Sequence, residues 1–135
     1  MPTVTLAFRK LLVQRLGEAK GEVSINNNVS IKDIVKAELS LGTVKQAALR
    51  FEFEYTTKYE PKVAEIAMHG DLVFFAPADV VDSVLKDWKK EKKAPKEITT
   101  EVLNNILARC NIQALILSRE MNLPSPIPLP KVQAK

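Results

Sequence analysis

The stretch Leu49-Arg50-Phe51-Glu52-Phe53-Glu54-Tyr55 constrains this chain more than any other. Apolar and charged side chains alternate strictly, so a β-strand here has one dry face and one wet face. A helix would scatter the same residues around its axis. After a turn signal at Glu60-Pro61 a second run follows, about Lys62 to Phe75. It places Ala64, Ile66, Met68, Gly70, Leu72 and Phe74 on one face, with Val63, Glu65, Ala67, His69, Asp71, Val73 and Phe75 on the other. The short connection from Tyr55 to Lys62 makes the two runs a hairpin, and therefore an antiparallel pair. A sheet with one polar face covers a core on one side only.

The flanking segments extend this frame. Val23 and Ile25 alternate ahead of the Asn26-Asn27-Asn28 turn signal, and Val29, Ile31, Val35 and Ala37 keep a period of two that breaks at Asp33-Ile34. We read this as a strand with a bulge near Asp33, although Ile31, Ile34, Val35 and Leu39 also fit helical spacing. Leu6, Leu12, Val13 and Leu16 recur near helical spacing, which predicts an N-terminal helix over about 5–16 that ends near Gly17. Downstream, Pro77 ends the second strand. Asp79 is the predicted N-cap of a helix reaching about Lys92, with Val80, Val81, Val84, Leu85 and Trp88 on its apolar face.

Beyond Pro95 a long helix is predicted from near Ile98 to about Met121, capped by Thr99 or Thr100. Its stripe reads Leu103, Ile106, Leu107, Cys110, Ala114, Leu117, Met121. Ile112, Leu115 and Ile116 lie off that stripe. A sheet on one side and a second copy of the chain on the other account for both faces, which makes these three the expected interface of a homo-oligomer. The alternative is that the preceding helix covers the second face. From Leu123 to Pro130 proline recurs at every second position, so the segment is extended and reads as a semi-rigid tail docked on its own subunit. The whole is a single domain: an N-terminal helix in 1–20, strands in 22–76, two helices in 78–121 and the tail in 122–135.

Composition narrows the chemistry. One Cys and one His exclude an intrachain disulfide, a tetrahedral zinc site, and HExxH or CxxC motifs within one subunit. The four glycines form no GxGxxG or Walker pattern. Cys110 sits in the middle of the helical stripe, and His69 lies beside Asp71 on a strand face. Glu52, Glu54 and Glu65 share a sheet face with Arg50, where cross-strand pairing explains them without acid–base catalysis. We therefore expect no enzyme, no metal and no cofactor. The longest unbroken apolar run, Leu72 to Ala76, is five residues, where a membrane-spanning helix needs about 20. Arg9, Lys10 and Arg15 interrupt any secretory apolar core, so the expected location is cytoplasmic.

The chain has 20 Lys+Arg against 16 Asp+Glu, a net charge of +4. Six lysines fall between Lys86 and Lys96, against Asp87 and Glu91. Such a run can serve as a footprint for nucleic acid or an acidic partner. It contains no Arg, and Trp88 is its one aromatic residue, so forked phosphate contacts and base stacking are poorly supplied. Nucleic-acid binding is thus the second reading.

The segment Leu49 to Tyr55, followed by Ala64-Glu65-Ile66-Ala67-Met68-His69-Gly70-Asp71-Leu72-Val73-Phe74, resembles the central hairpin of SecB-type chaperones. Asn105 to Arg119 with the Leu123–Pro130 tail is similar to that family's long helix and its Pro-containing exit. The likeness spans residues 22–132 and is closer still to small uncharacterised SecB-like proteins. It implies an α+β fold with a four-stranded antiparallel sheet and helices packed on one side, to which our reading adds the N-terminal helix. It also implies a dimer or a dimer of dimers and ATP-independent holding of unfolded or nascent polypeptide in apolar grooves. Placed by location, Leu39, Leu41 and Val44 in the loop before the long strand, together with Trp88, Ile127 and Leu129, are the groove candidates. SecB proteins are acidic and engage SecA through an acidic face. This chain is basic, so the resemblance does not extend to SecA, and the first 20 residues have no evident SecB counterpart.

Overall fold

The computed structural model describes residues 4–18, 21–41, 44–128 and 130. Four strands are followed by two helices: β1 (Val4–Arg15), β2 (Ser24–Leu41), β3 (Val44–Glu60), β4 (Ala64–Phe75), α1 (Ala78–Glu91) and α2 (Lys96–Glu120). The strands form one antiparallel sheet in the order β1-β4-β3-β2. The expected hairpin is its centre, with Phe51 opposite Leu72, Phe53 opposite Gly70 and Tyr55 opposite Met68.

Alternation dictates where the core lies. Leu49, Phe51, Phe53 and Tyr55 of β3 and Ile66, Met68 and Leu72 of β4 are no more than 2% exposed. Burying side chains of this size stabilises the fold by about 2 kcal/mol each. Both helices cover that one face. α1 packs on β2 and β3 through Val81 and Val84, and α2 packs on β4 and β1 through Val102, Ile106, Cys110 and Ala114. The architecture is α+β, a four-stranded antiparallel sheet with its helices on one side.

The predicted N-terminal helix is instead the edge strand β1. Leu6 pairs with Leu72 and Phe8 with Gly70, then the register slips between Phe8 and Lys10, so that Leu11 pairs with Met68 and Val13 with Ile66. One inserted residue moves the inward positions from even to odd numbers, and two offset runs of period two mimic a helical repeat. Tertiary context decides the matter, because β4 would otherwise present an unpaired edge beside the core. Phe8 then meets Phe53 edge to face, with ring centroids 6.2 Å apart.

A bulge also interrupts β2, between Ile31 and Asp33. Val29 and Ile31 lie opposite Tyr55 and Phe53, and past the bulge Ile34 lies opposite Phe51 and is 3% exposed. Val35 and Ala37 consequently turn to the other face, opposite Arg50 and Ala48.

Both helices begin directly after a proline, earlier than predicted. Pro77 and Pro95 occupy the N-cap positions, and no side chain caps either helix. Asp79 lies in the first turn of α1, where it complements the helix dipole rather than the cap. The buried seam of α2 is Val102, Ile106, Cys110, Ala114 and Ser118, with Leu107, Leu117 and Met121 packed partly buried alongside. After α2 the chain runs back across the sheet. The Tyr59 hydroxyl donates to the Pro124 carbonyl at 2.7 Å, and Asn27 Nδ2 donates to the Pro126 carbonyl at 2.8 Å. Burial, with a smaller contribution from the charge of Tyr55, pushes the Tyr59 hydroxyl up to about 12. Among the described residues no helix is long and apolar enough to cross a membrane.

Candidate functional site

The β2 bulge has a consequence on the helical side of the sheet. Asp33 Oδ1 accepts from the Ile34 N–H at 2.9 Å and from Trp88 Nε1 at 3.1 Å. A polar anchor thereby holds the indole of α1 against the outermost strand. Lys92 ends α1 in the left-handed region (φ 57°), with its N–H donating to the Trp88 carbonyl at 2.9 Å. That conformation costs a non-glycine residue about 1 kcal/mol. Here it turns the chain back, and Lys92 Nζ lies 5.4 Å from the Trp88 ring centroid.

These elements enclose a cleft of about 500 Å³. Val29, Ser30, Ile31 and Ile34 of β2 form one wall, and Trp88 with Lys92, Lys93 and Ala94 forms a second. The first turns of α2 contribute Lys96, Thr99, Thr100 and Leu103. Val29, Ile31, Trp88, Ala94 and Leu103 are half-buried, whereas Lys92, Lys93 and Lys96 are exposed. The cleft therefore has an apolar floor and a basic rim. β2 pairs only with β3, so the backbone edge bordering the cleft meets no other strand among the described residues. An unpaired edge offers N–H and C=O groups to any extended chain.

The opposite face of the sheet is occupied by cross-strand charge pairs. His69 Nε2 lies 3.3 Å from Glu54 Oε2, and Arg9 Nη2 lies 3.2 Å from Asp71 Oδ1 and 3.9 Å from Glu52 Oε1. Gln14 Nε2 donates to Glu65 Oε1. Glu54 and Glu65 thus each have a partner on a neighbouring strand, and Glu52 has one on β1, across the intervening β4. Cys110 is fully buried on the helical side, where burial outweighs the opposing influence of Arg109 and pushes the thiol up to about 12. The sheet separates it from His69, so the two form no dyad. Among the described residues no group of three or more His, Cys, Asp and Glu is suited to holding a metal ion.

Two of the groove candidates read from the sequence, Trp88 and Ile127, have described side chains. Trp88 lines the cleft. Leu39, Leu41 and Val44 belong to the paired ends of β2 and β3 rather than to a loop, since Leu39 lies opposite Gln46 and Leu41 opposite Val44. Their side chains lie outside the described residues, as does Leu129. Ile127 is half-buried in the tail, just past the Pro126 carbonyl held by Asn27 at the far end of β2. Val29, Ile31 and Leu103 escaped the sequence reading. The bulge signal at Asp33 and the break at Pro95 were the clues that bring them together.

The second face of α2 is bare. Ile112 is 59% exposed and Ile116 42%, with Leu115 half-buried beside them. β1 runs along the same edge: the Arg109 guanidinium lies 6.0 Å from the Phe8 ring centroid, and Arg15 Nη2 donates to the Met121 carbonyl at 2.6 Å. Leu11 and Leu16 of that edge are 44% and 52% exposed.

No family model matches this chain, and no curated protein matches its sequence. Among solved structures the chain is similar to the Mycobacterium tuberculosis Rv1957 SecB-like chaperone, in complex with a ChAD peptide from the Rv1956 HigA1 antitoxin. The TM-score is 0.45 at 11% identity, covering 99% of this chain and 92% of that one. A likeness of this degree assigns no residue and no activity to the present chain.

Proposed function

We propose that this chain binds non-native polypeptide in extended form in the cleft between β2, α1 and α2, and holds it without nucleotide or cofactor. One observation carries the reading: an unpaired strand edge borders an apolar cleft. Backbone groups on a sheet edge pair with any extended sequence, and alternate side chains of the bound segment fall into the adjoining pocket. That combination recognises unfoldedness rather than a particular sequence. The sequence contains no glycine-rich phosphate loop that would couple the cycle to nucleotide hydrolysis.

The edge formed by β1 and α2 supports a further part of the reading, namely that a second copy of the chain covers it. Among the described residues the large apolar side chains that stand exposed are Leu11 of β1, Leu16 just beyond its end, and Ile112 and Ile116 of α2. Exposed apolar side chains on two elements packed against each other mark association, and a two-fold dimer is its commonest solution.

The test is dilution of a chemically unfolded client that lacks Trp into the full chain. Trp88 is the one Trp, half-buried in the cleft wall, so it reports occupancy. The expected result is suppressed aggregation of the client together with a blue shift of Trp88 emission, and neither with the folded client. Continued aggregation at several-fold excess of this chain, with unchanged Trp88 emission, refutes the reading.

A further inference from the structure

We propose that the rim of the cleft selects its clients by charge, taking apolar segments flanked by Asp or Glu over neutral or basic ones. This rests on the reading of the cleft as a polypeptide site and adds to it the class of segment bound. The cleft floor is neutral and apolar, so it discriminates little between clients. The rim is different: Lys92, Lys93 and Lys96 line it, all three are exposed, and among the described residues none pairs with a carboxylate within 4.0 Å. The acid on the neighbouring strand makes no ion pair with them. Asp33 directs Oδ1 to the Ile34 N–H and to Trp88 Nε1. Glu91 and Glu97 flank the three lysines in sequence but do not line the cleft.

An extended peptide lying along the Val29–Ile34 edge passes this row of ammonium groups. Carboxylates on its flanks meet unpaired positive charge, whereas lysines there meet repulsion. Exposed pairs of this kind are individually weak, and three acting together correspond to about tenfold in affinity at low ionic strength. The same lysines are poorly arranged for nucleic acid. Lys92 covers one face of Trp88 and Asp33 holds its Nε1, so the indole is not free for base stacking. An apolar floor gives nothing to phosphates, and no Arg lies between Lys86 and Lys96.

The experiment titrates three peptides into the full chain, with Trp88 emission as the signal. All share one extended Val/Ile/Leu core without aromatics, flanked by Asp and Glu, by Ser and Gly, or by Lys. A single-stranded oligonucleotide of matched charge is the fourth ligand. The expected order is acidic, neutral, basic, with about tenfold between acidic and neutral at low salt. That gap shrinks to about twofold or less near 0.5 M salt, where the screening length falls to about 4 Å. Lys93→Glu and Lys96→Glu together reverse the order of the acidic and basic peptides, with unchanged thermal unfolding showing that the fold itself is intact. Equal binding of all three peptides overturns charge selection and leaves the polypeptide reading standing. Failure of all three to bind overturns both. An oligonucleotide that binds as tightly as the acidic peptide shows that the rim reads any polyanion, and this too overturns the proposal.

Discussion

Replacing Gly70 with alanine is expected to lower the stability of the chain by about 3 kcal/mol. A Cβ at this position would stand 2.5 Å from the Ala7 carbonyl oxygen and 2.8 Å from Phe53 Cζ. The first obstacle is backbone, so β1 has to move as a strand. The second is an aromatic ring 2% exposed, packed edge to face with Phe8 at a centroid distance of 6.2 Å. Gly70 lies between these rings in register, opposite Phe8 on one side and Phe53 on the other. The absence of a side chain is what lets both rings close over β4. A loss of this size lowers Tm by about 10 °C in a domain of this length. Hydrogen exchange in the variant should rise first in β1, whose pairing is pushed aside. A Gly70→Ala chain within about 0.5 kcal/mol of the parent would show that the register of β1 on β4 is not as described.

Introducing charge on the bare face of α2, as Ile112→Lys with Ile116→Lys, is expected to dissociate the chain into monomers without unfolding it. Both side chains are largely exposed in the single subunit, 59% and 42%, so the subunit's core does not depend on them. In a two-fold dimer that buries what remains exposed of them, the two isoleucines contribute about 2 kcal/mol per subunit, so losing them from both subunits is worth about 4 kcal/mol, or roughly a thousandfold in the association constant. Sedimentation equilibrium across a concentration series measures this directly. The parent chain should associate and the double variant should not, with superimposable thermal unfolding at the dilution where both are monomeric. A parent chain that stays monomeric at high concentration removes the β1–α2 edge as an interface between copies.

Parts of this architecture were legible in the sequence because one physical rule governs them. The Leu49–Tyr55 alternation admits one solution, and β3 and β4 pair as that solution requires. Cys110 falls in the buried seam of α2, where its place in the apolar stripe put it. β1 was not legible, because the slip after Phe8 changes the parity of its inward residues and disguises two short strand patterns as a helical one. The β2 bulge was visible as a break at Asp33-Ile34, but its use was not: nothing in the chain order says that Asp33 will meet Trp88, 55 residues away. The cleft suffers from the same limit. Its walls come from one strand edge and two helices, so Trp88 stands out by type alone, while Val29, Ile31 and Leu103 look like ordinary core residues. Gly70 likewise reads as one more small residue until Ala7 and Phe53 are set against it.

Extended polypeptide pairing with the free edge of β2 is the claim on which the functional account depends. Amide hydrogen exchange, followed with and without a saturating unfolded client, tests it residue by residue. The account predicts that amides of β2 on its unpaired edge, within Val29–Asp33, slow by about tenfold or more when client is bound, while amides of the β1 edge are unchanged. Client held with no change along β2, or with protection along β1 and α2 instead, would contradict it.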